Sequence, residues 1–578
     1  MLTFLELQRN LKKESASMPA VKAALLGDTA TQFLAAALRG TAVERGFRLD
    51  LFEAEFNQIE RQIMDPQSEF HAFGADYAVI FQSTHKLLCH YDKLAPEKQA
   101  ALADERIDFI RLLCASFPGR IIYCNYPEID DTVFGGFACK IEHSFVWQTR
   151  KLNYELMKLA RGSAGLFICD LAALQNKLGR DAMFDASIYT ASEMILSLDS
   201  VPQAASRIMD VICAAQGQIK KCLILDLDNT LWGGVIGDDG IENIQLGHDL
   251  GIGKVFTEFQ GWIRKLKNRG IILAVCSKNN ENTAKEPFEK HPEMVLKLED
   301  ISVFMANWDN KADNIRRIQS ILNIGFDSMV FLDDNPVERA MVRENIPGIT
   351  VPELPADPAD YLEYLYGLNL FETVSVSAED AERTGQYRAE ARRVEAQTAF
   401  ADEGEFLASL EMVSEAKDFD AFNIPRAAQL SQRSNQFNLR TVRYTEADAA
   451  RLAACGRYKN WCFTLRDKFG DNGLICVIIL EKQDAQTLFI DTWLMSCRVL
   501  KRGMEQFTLN TIAAWAREAG FKRLIGEYIP TAKNKMVESH YPGLGFEPLP
   551  CEGRILYTLD VGAYKPKKCF IAGARQNE

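Results

Sequence analysis

Residues 222–234 read CLILDLDNTLWGG, and this stretch decides the fold of the central part of the chain. A short apolar run leads into Asp226 and Asp228, which stand two positions apart where the run ends. Such a run predicts a buried strand, and open α/β sheets place their ligands beyond the carboxyl ends of their strands. We therefore expect both carboxylates to lie in a site at that edge of a parallel sheet.

Three further motifs follow in order. Ser277 ends IILAVCS, Lys311 lies in NWDNKADN, and Asp333 and Asp334 end MVFLDD. Each group stands at a strand end or in the loop beyond one. A lone Asp-x-Asp is often only a strand followed by a polar turn, but four ordered motifs favour phosphotransfer. Mg²⁺ and a lysine would neutralise phosphate charge while a carboxylate attacks the phosphorus.

This set of motifs resembles the haloacid-dehalogenase superfamily, whose first motif is Asp-x-Asp-x-Thr. The resemblance implies that Asp226 carries the phosphoryl group and that Asp228 is the general acid, then the base, with its main-chain carbonyl on the metal. It also implies that Ser277 donates a hydrogen bond to the phosphoryl oxygens. The implied Mg²⁺ ligands are Asp226, Asp228, Asp333 and Asp334. Only about 45 residues separate the first motif from Ser277, so we expect no separate cap domain and a site open to a macromolecular substrate.

A narrower resemblance extends over most of the chain. The segments KKCLILDLDNTLWGGVIGDDG, RGIILAVCSKN, LDDNPVER, SQRSNQFNLRT and MSCRVLKRGMEQ are similar to those of the FkbH-like proteins, subfamily IIIC. That family is thought to take a glyceryl unit from 1,3-bisphosphoglycerate, remove phosphate, and pass the acyl group through a cysteine thioester to an acyl carrier protein. Cys276 either supplies that thiol or, because side chains alternate along a strand, points into the sheet core.

Two other functions stay open from the sequence. One is a phosphatase that acts on a small phosphoester and is coupled to acylation in surface-glycan biosynthesis. The other is a scaffold protein with inactive domains, which the complete motif set disfavours. The sequence does not identify the acyl acceptor, the pathway or the oligomeric state.

Residues 1–217 alternate apolar runs with helical stretches and predict a first doubly wound α/β domain. The segment LLGDTATQFL resembles the first block of SGNH hydrolases, but Thr29 stands where the nucleophilic serine belongs. The later Asp-x-x-His block has its nearest counterpart at Asp185 to Ile188, without a histidine. His85 is a lone histidine, which is more often packed than catalytic. We expect a domain without hydrolase activity.

Residues 218–370 predict a second doubly wound parallel-sheet domain, and the acidic segment SAEDAERTGQYRAEARRVEAQ predicts a helix after it. Residues 371–578 predict an α+β domain that resembles GNAT-type acyltransferases, with strands in FTLRDKFG, DNGLICVIILEK, QTLFIDTWLMS and KRLIGEY. Arg498, Arg502 and Gly503 precede its helix RGMEQFTLNTIAAWAREAG. The resemblance assigns this loop to coenzyme A or a carrier-bound phosphopantetheine, although it lacks the family's second glycine. Cys497 serves either packing or chemistry.

The composition excludes several classes of protein. The net charge of −13 argues against a nucleic-acid partner, and no apolar run reaches the roughly 18 residues of a membrane span. The first residues lack a secretory signal pattern. The 14 cysteines show no paired spacing and are expected to be reduced. We expect a cytoplasmic enzyme with a small phosphorylated substrate.

Overall fold

The computed structural model describes residues 2–574 except 250, 378–379, 381, 398–399, 401 and 532. The chain forms two compact units, an amino-terminal unit, Met1–Ala215, and a carboxy-terminal unit, Gln216–Glu578. The predicted fold class is confirmed: two consecutive α/β arrangements with parallel sheets are followed by an α+β arrangement. In the part of the chain that the structure describes, no helix is long and apolar enough to cross a bilayer.

The amino-terminal unit is built on a five-stranded parallel sheet with the order β2-β1-β3-β4-β5. Its strands are β1 Ala20–Gly27, β2 Arg48–Glu53, β3 Tyr77–Phe81, β4 Arg120–Cys124 and β5 Leu166–Cys169. Its helices are α1 Phe4–Asn10, α2 Gln32–Glu44, α3 Ile59–Met64, α4 Glu69–Phe73, α5 Thr84–Tyr91, α6 Pro96–Gln99, α7 Leu102–Ser116, α8 Phe145–Arg161, α9 Leu171–Leu178, α10 Arg180–Met183, α11 Ala186–Ser192 and α12 Val201–Ala215. The inner strands β1, β3 and β4 are buried on both faces over most of their length, as helix-covered parallel sheets require.

The first sheet of the carboxy-terminal unit has four parallel strands in the order β8-β7-β6-β9. These are β6 Cys222–Leu225, β7 Ile272–Ser277, β8 Ile301–Ala306 and β9 Met329–Leu332. The helices are α13 Ile236–Asp239, α14 Ile252–Asn268, α15 Glu281–Lys290, α16 Lys311–Leu322, α17 Pro336–Asn345 and α18 Tyr361–Leu368. Hydrophobic clusters on both faces leave the two ends of the strands for polar groups.

The second sheet of this unit has eight strands in the order β15-β16-β14-β13-β12-β11-β10-β17. They are β10 Met412–Asp418, β11 Tyr458–Asp467, β12 Gly470–Lys482, β13 Thr487–Met495, β14 Arg523–Tyr528, β15 Glu547–Leu549, β16 Ile555–Asp560 and β17 Ile571–Gly573. The helices are α19 Arg383–Gln397, α20 Glu403–Ser409, α21 Ile424–Arg433, α22 Glu446–Ala454, α23 Met504–Glu518 and α24 His540–Gly543. The four strands and the helix predicted in this region are confirmed. Its edge pair, β10 with β17, is parallel and joins Met412 to Ile571.

Helix α19 connects the two sheets of the carboxy-terminal unit, because it contacts β7, β8 and α16 of the first sheet and β12 of the second. Two buried ion pairs hold it in place. Arg393 donates from Nε and Nη2 to the two carboxylate oxygens of Asp467, at 2.7 and 2.9 Å. Arg502 binds Glu390 of the helix. The sequence predicts a helix over 377–397, of which residues 378–379 and 381 lie outside the described residues.

A segment of three residues, Phe437 to Leu439, lies between β13 and β14. These strands pair only from Thr487 to Ile490 and then separate. The Met495 amide donates to the Phe437 carbonyl at 3.1 Å, and the Ile529 amide donates to the Leu439 carbonyl at 2.9 Å. The segment thus satisfies main-chain groups that the separated strands would leave unpaired.

Candidate active site at the carboxyl edge of the parallel sheet

Three carboxylates converge at one edge of the four-stranded parallel sheet. Asp226 directly follows β6, and Asp333 and Asp334 follow β9, the strand that pairs with β6. One oxygen from each carboxylate lies within 4.8 Å of the other two. The main chain is closely joined at this point, since the Asp226 amide donates to the Leu332 carbonyl at 3.0 Å. The carboxylates of Asp226, Asp333 and Asp334 therefore converge at this edge, and that of Asp228 is not one of this group.

Lys311 is the first residue of α16 and brings the neutralising charge. Its Nζ lies 2.9 Å from Asp226 Oδ2 and 2.6 Å from Asp333 Oδ2, and its side chain is only 4% exposed. Burial alone lowers the pKa of Lys311, but the attraction of Asp226 and Asp333 outweighs it and raises the pKa above the ordinary value. One lysine among three carboxylates leaves an excess of negative charge.

The donor set fits a magnesium ion. Asp226 Oδ1 is buried and has no hydrogen-bond partner among the described residues. Burial, followed by the nearby Asp226 charge, raises the pKa of Asp333 and of Asp334. A divalent cation would offset both the orphaned oxygen and the carboxylate repulsion, and all-oxygen ligands are those that Mg²⁺ prefers. The side chains of Asp226, Asp333 and Asp334 are the residues able to hold it.

The carboxylate of Asp228 is held apart from this triad. Its Oδ1 accepts hydrogen bonds from Trp232 Nε1 and the Ile236 amide, each at 2.9 Å, and its Oδ2 accepts one from Asn279 Nδ2 at 2.9 Å. Burial is the main cause of a pKa raised above the ordinary value for aspartate. A carboxyl that is fixed in place and protonates more readily than usual suits proton transfer rather than metal binding.

Ser277 and Cys276 end β7 beside the site. Ser277 is buried, with 2% of its surface exposed, at the carboxyl end of the strand. Cys276 is fully buried within the core cluster that contains Cys222 and Ile224, and its Sγ lies 3.7 Å from the Lys311 carbonyl. Burial raises the pKa of the Cys276 thiol well above its ordinary range. Cys276 therefore lies in the core of the sheet beside the site, where burial favours the protonated form of its thiol.

Four residues in or beside the motifs have positioning roles that the sequence analysis did not assign; Thr230 is already known as the threonine of the first motif. Trp232 and Asn279 orient Asp228, and the Asp334 amide donates to Thr230 Oγ1 at 3.1 Å. Arg339 is 5% exposed and donates to the carbonyls of Asp333 and Asp334 at 2.8 and 2.6 Å. The arginine of LDDNPVER was a visible signal, but its main-chain targets were not.

The chain between β6 and β7 forms only a short helix, α13, and one longer helix, α14, in its described part. Neither builds a separate domain above the carboxylates, in agreement with the short spacing between the motifs. The route to Asp226 is consequently not closed by a cap in residues 226–249 and 251–271.

The loop predicted to bind a coenzyme lies in the eight-stranded part of the unit, not with the carboxylates. Gly503 adopts φ 82° and precedes α23. Arg502 is 5% exposed and pairs with Glu390 and Asp467, while Arg498, equally buried, donates to the Asn472 carbonyl at 3.2 Å. Cys497 is half-buried, with its Sγ 4.0 Å from the Tyr387 hydroxyl.

The amino-terminal unit has its own polar crevice where strand order reverses between β1 and β3. Asp28 follows β1, lines a cavity of about 330 Å³ with Arg106, and accepts two bonds from the Ser83 amide at 2.9 and 3.0 Å. Burial raises the pKa of Asp28 to about 6. Thr29 is fully buried, and His85 packs between Phe184 and Tyr189.

Comparisons with known proteins connect these sites to a family. Residues 22–213 match the family model described as FkbH, N-terminal domain. The crystal structure of the N-terminal part of the protein BF1531 from Bacteroides fragilis, which contains a phosphatase domain and is complexed with Mg, is 63% identical with a TM-score of 0.64. The match covers 65% of this chain and 100% of that one.

Two acetyltransferase structures match a smaller part of the chain. The ribosomal-protein-S18-alanine N-acetyltransferase from Escherichia coli is 18% identical over 26% of this chain and 94% of its own, with a TM-score of 0.21. The GNAT domain of S. lividans PAT is 17% identical, and the match covers 25% of this chain and 89% of that one, with a TM-score of 0.20. No curated protein matches the chain. From its identity with BF1531 over that protein's whole solved part, the chain belongs to the family of the Bacteroides fragilis protein BF1531.

Proposed function

We propose that the chain is a haloacid-dehalogenase-type, Mg²⁺-dependent phosphotransfer enzyme of the FkbH-like family. It dephosphorylates 1,3-bisphosphoglycerate or a similar compound and transfers the glyceryl unit to an acyl carrier protein or related acceptor. One observation carries the phosphotransfer part: Asp226 is buried against Lys311, Asp333 and Asp334, with one carboxylate oxygen left unpartnered. The Mg-complexed phosphatase domain of BF1531 supports it.

Each side chain around the site has its own proposed role in the removal of phosphate. Asp226, Asp333 and Asp334 would hold Mg²⁺, which withdraws charge from the phosphoryl oxygens when bound. A carboxylate oxygen of Asp226 forms a bond to the phosphorus of the 3-phosphoester as the bond from that phosphorus to the substrate oxygen breaks, and Lys311 balances the charge; the acyl phosphate stays intact for the next step. Asp228 donates a proton to the departing oxygen and later accepts one from the water that hydrolyses the aspartyl-phosphate.

The acyl step needs a thiol. A cysteine sulfur attacks the carbonyl carbon of the acyl phosphate, loses its proton, and displaces inorganic phosphate to form a thioester. The thiol of a carrier-bound phosphopantetheine then displaces the cysteine. Cys276 is the proposed thiol because it adjoins Ser277 at the site, and the loop of Arg498, Arg502 and Gly503 is the proposed contact for the phosphopantetheine or coenzyme A.

The proposal is tested with labelled 1,3-bisphosphoglycerate, with and without a phosphopantetheinylated carrier protein. Acyl transfer to the carrier that is lost in Asp226→Asn supports the proposal. Phosphate release without transfer reduces the function to a phosphatase. If neither acyl transfer nor phosphate release is found on a broad panel of phosphoesters, an enzymatic role is contradicted and a scaffold is favoured.

The role of Cys276 has a matched control in Cys222, which is equally buried in the neighbouring strand β6. Mass spectrometry after incubation with the bisphosphate should find an acyl adduct in the wild type and in Cys222→Ala, and none in Cys276→Ala. An adduct that persists in Cys276→Ala removes this residue from the mechanism.

The burial of Cys276 also favours a second candidate function, in which no thioester forms. The site would then remove phosphate from a small phosphoester, and the eight-stranded part would acylate a sugar by GNAT-type chemistry in surface-glycan biosynthesis. Both candidates place the protein in the cytoplasm, without nucleic-acid binding or membrane insertion.

A further inference from the structure

A second polar cavity, of about 350 Å³, lies within the carboxy-terminal unit on the opposite edge of the parallel sheet from Asp226. Lys221 precedes β6, Ile272 begins β7 and Ser328 precedes β9, so the cavity borders the amino ends of these strands. Its other walls come from α19, α21, the turn after β13 and Lys533. Asp226, Asp333 and Asp334 stand at the carboxyl ends, so this cavity is separate from the candidate phosphotransfer site.

The lining of this cavity is strongly cationic. Six basic side chains line it among the described residues: Lys221, Arg383, Arg426, Arg433, Arg498 and Lys533. Asp327 is the single carboxylate in the same described lining, and it is bound by Lys533. Asp380, behind the wall, pairs with both Arg383 and Arg433.

Two of the cations lack a carboxylate partner within the described residues. Arg498 is 5% exposed, and its guanidinium donates only to neutral oxygens, Ser496 Oγ at 3.3 Å and the Asn472 carbonyl at 3.2 Å. Lys221 Nζ donates to the Arg433 carbonyl at 2.8 Å. Buried charges are normally paired, because an unpaired buried charge loses its hydration without compensation.

The surroundings hold these cations at an energetic disadvantage. Burial is the main cause that lowers the pKa of Arg498 below its ordinary value, and the positive charges of Arg383 and Arg502 act in the same direction. Burial is also the main cause that lowers the pKa of Lys221 to about 8. An anion in the cavity would offset both effects, so the geometry and the charge favour a bound anion.

We propose that this cavity is a second anion site, which binds the phosphate group of a small molecule. The volume matches sites for small ligands, which begin at roughly 300 Å³. A phosphate monoester carries a charge of about −1.5 to −2 at neutral pH and can neutralise the two unpaired cations, whereas a carboxylate carries a single negative charge. The planar guanidinium of Arg498 and the ammonium of Lys221 are the donors that phosphate oxygens accept. The site does not depend on phosphate removal at Asp226, and it shares Arg498 with the loop proposed to contact phosphopantetheine or coenzyme A.

The test is isothermal titration of the full-length protein with inorganic phosphate and with glycerol 3-phosphate, in EDTA. Without a metal, the three carboxylates at Asp226 repel anions, so binding reports on the cationic cavity. We expect binding of one ligand per chain that Arg498→Gln and Lys221→Gln each weaken at least about tenfold. Lys535→Gln, which changes an exposed lysine outside the cavity, should bind as the wild type does.

Thermal unfolding of the same samples is then measured with and without about 20 mM phosphate, because a ligand that binds the native state raises the melting temperature of the protein. The wild type and Lys535→Gln should be stabilised by phosphate, and the two cavity variants should fold but gain little. Tighter binding of glycerol 3-phosphate would identify a phosphorylated metabolite as the ligand, and equal or weaker binding would identify free phosphate; both uphold the site. No binding in EDTA, or undiminished binding by both cavity variants, would overturn it.

Discussion

Arg339 acts on the site through the main chain, since its buried guanidinium binds the carbonyls of Asp333 and Asp334. Lysine in its place keeps the charge but cannot reach both carbonyls and Glu353 together. We expect Arg339→Lys to weaken Mg²⁺ binding by about 10- to 100-fold, as is usual for groups that orient metal ligands. Calorimetric titration with Mg²⁺ measures it.

Arg343 provides the control for this substitution. It binds the same Glu353, but it is half-exposed and donates to the Val351 carbonyl rather than to the site. Arg343→Lys should leave the Mg²⁺ affinity unchanged. Equal losses in the two variants would mean that Glu353, and not the carbonyls of Asp333 and Asp334, transmits the effect.

Asp28 gives a stability prediction with a definite sign. Its pKa is about 6 in the folded protein and 3.8 ordinarily, so the folded state binds the proton more strongly. At pH 7.5 the buried carboxylate is ionised and costs up to about 3 kcal/mol; as pH falls through 6 towards 4 this cost disappears. Asp28→Asn should therefore raise the melting temperature at pH 7.5 and have a clearly smaller effect at pH 4.5, where about 1 kcal/mol of the cost remains.

Asp76 is the matched control, because it is an exposed aspartate of the same unit with no comparable burial. Asp76→Asn should change stability by less than about 0.5 kcal/mol at either pH. If Asp28→Asn shifted the melting temperature equally at both pH values, ionisation of Asp28 would not be the cause.

Single residues also show where sequence reasoning ends. The convergence of Asp226, Asp333 and Asp334 was predictable, because strand periodicity is local and parallel strands bring their carboxyl ends to one edge. The separate placement of the Asp228 carboxylate was not. It depends on a loop in which Asn229 adopts φ 55° and on donors from Trp232 and Asn279, which sequence spacing does not reveal.

At the scale of elements, α19 is the helix whose side chains join two sheets. Arg393 is 3% exposed and holds the fully buried side chain of Asp467 with two hydrogen bonds. Removing one partner of a buried pair costs about 3 to 5 kcal/mol when the other charge stays buried without a counter-ion. Arg502 remains 3.3 Å from Asp467, which places the expected loss at the lower end of that range. We expect Arg393→Ala to lower the free energy of unfolding of the carboxy-terminal unit by about 3 kcal/mol, measured by urea denaturation.

The neighbouring Arg392 is exposed on the same helix and serves as the control. Arg392→Ala removes the same side chain at nearly the same cost in helix propensity, and should change the free energy of unfolding by less than about 0.5 kcal/mol. Similar losses in the two variants would show that the pair with Asp467 adds little to stability.

The existence of most elements was predictable from the sequence, because each strand and helix follows from its own apolar pattern. The connection made by α19 was not, since Glu390 and Asp467 are distant in sequence from one another and from Arg502. The insertion of Phe437 to Leu439 between β13 and β14 was equally hidden, because SQRSNQFNLRT has no strand periodicity.

At the scale of the whole molecule, the two compact units predict two heat-absorption transitions in calorimetry of the full chain. Both sheets of the carboxy-terminal unit should melt together, because α19 is packed against each of them. Asp28→Asn should shift the temperature of the transition of the amino-terminal unit, and Arg393→Ala should shift that of the carboxy-terminal unit. A single transition that both substitutions move would contradict this assignment.

The pairing of β10 with β17 has a consequence for biosynthesis. The paired residues Met412 and Ile571 are about 160 positions apart, so a ribosome that adds about 5–20 residues per second needs about 10–30 s to supply the second strand after the first. During that time the outer edge of β10 is open to pairing with other nascent chains. Glu415, Lys417 and Asp418 place charges along this strand, and charged side chains on an open edge oppose aggregation until translation reaches residue 571.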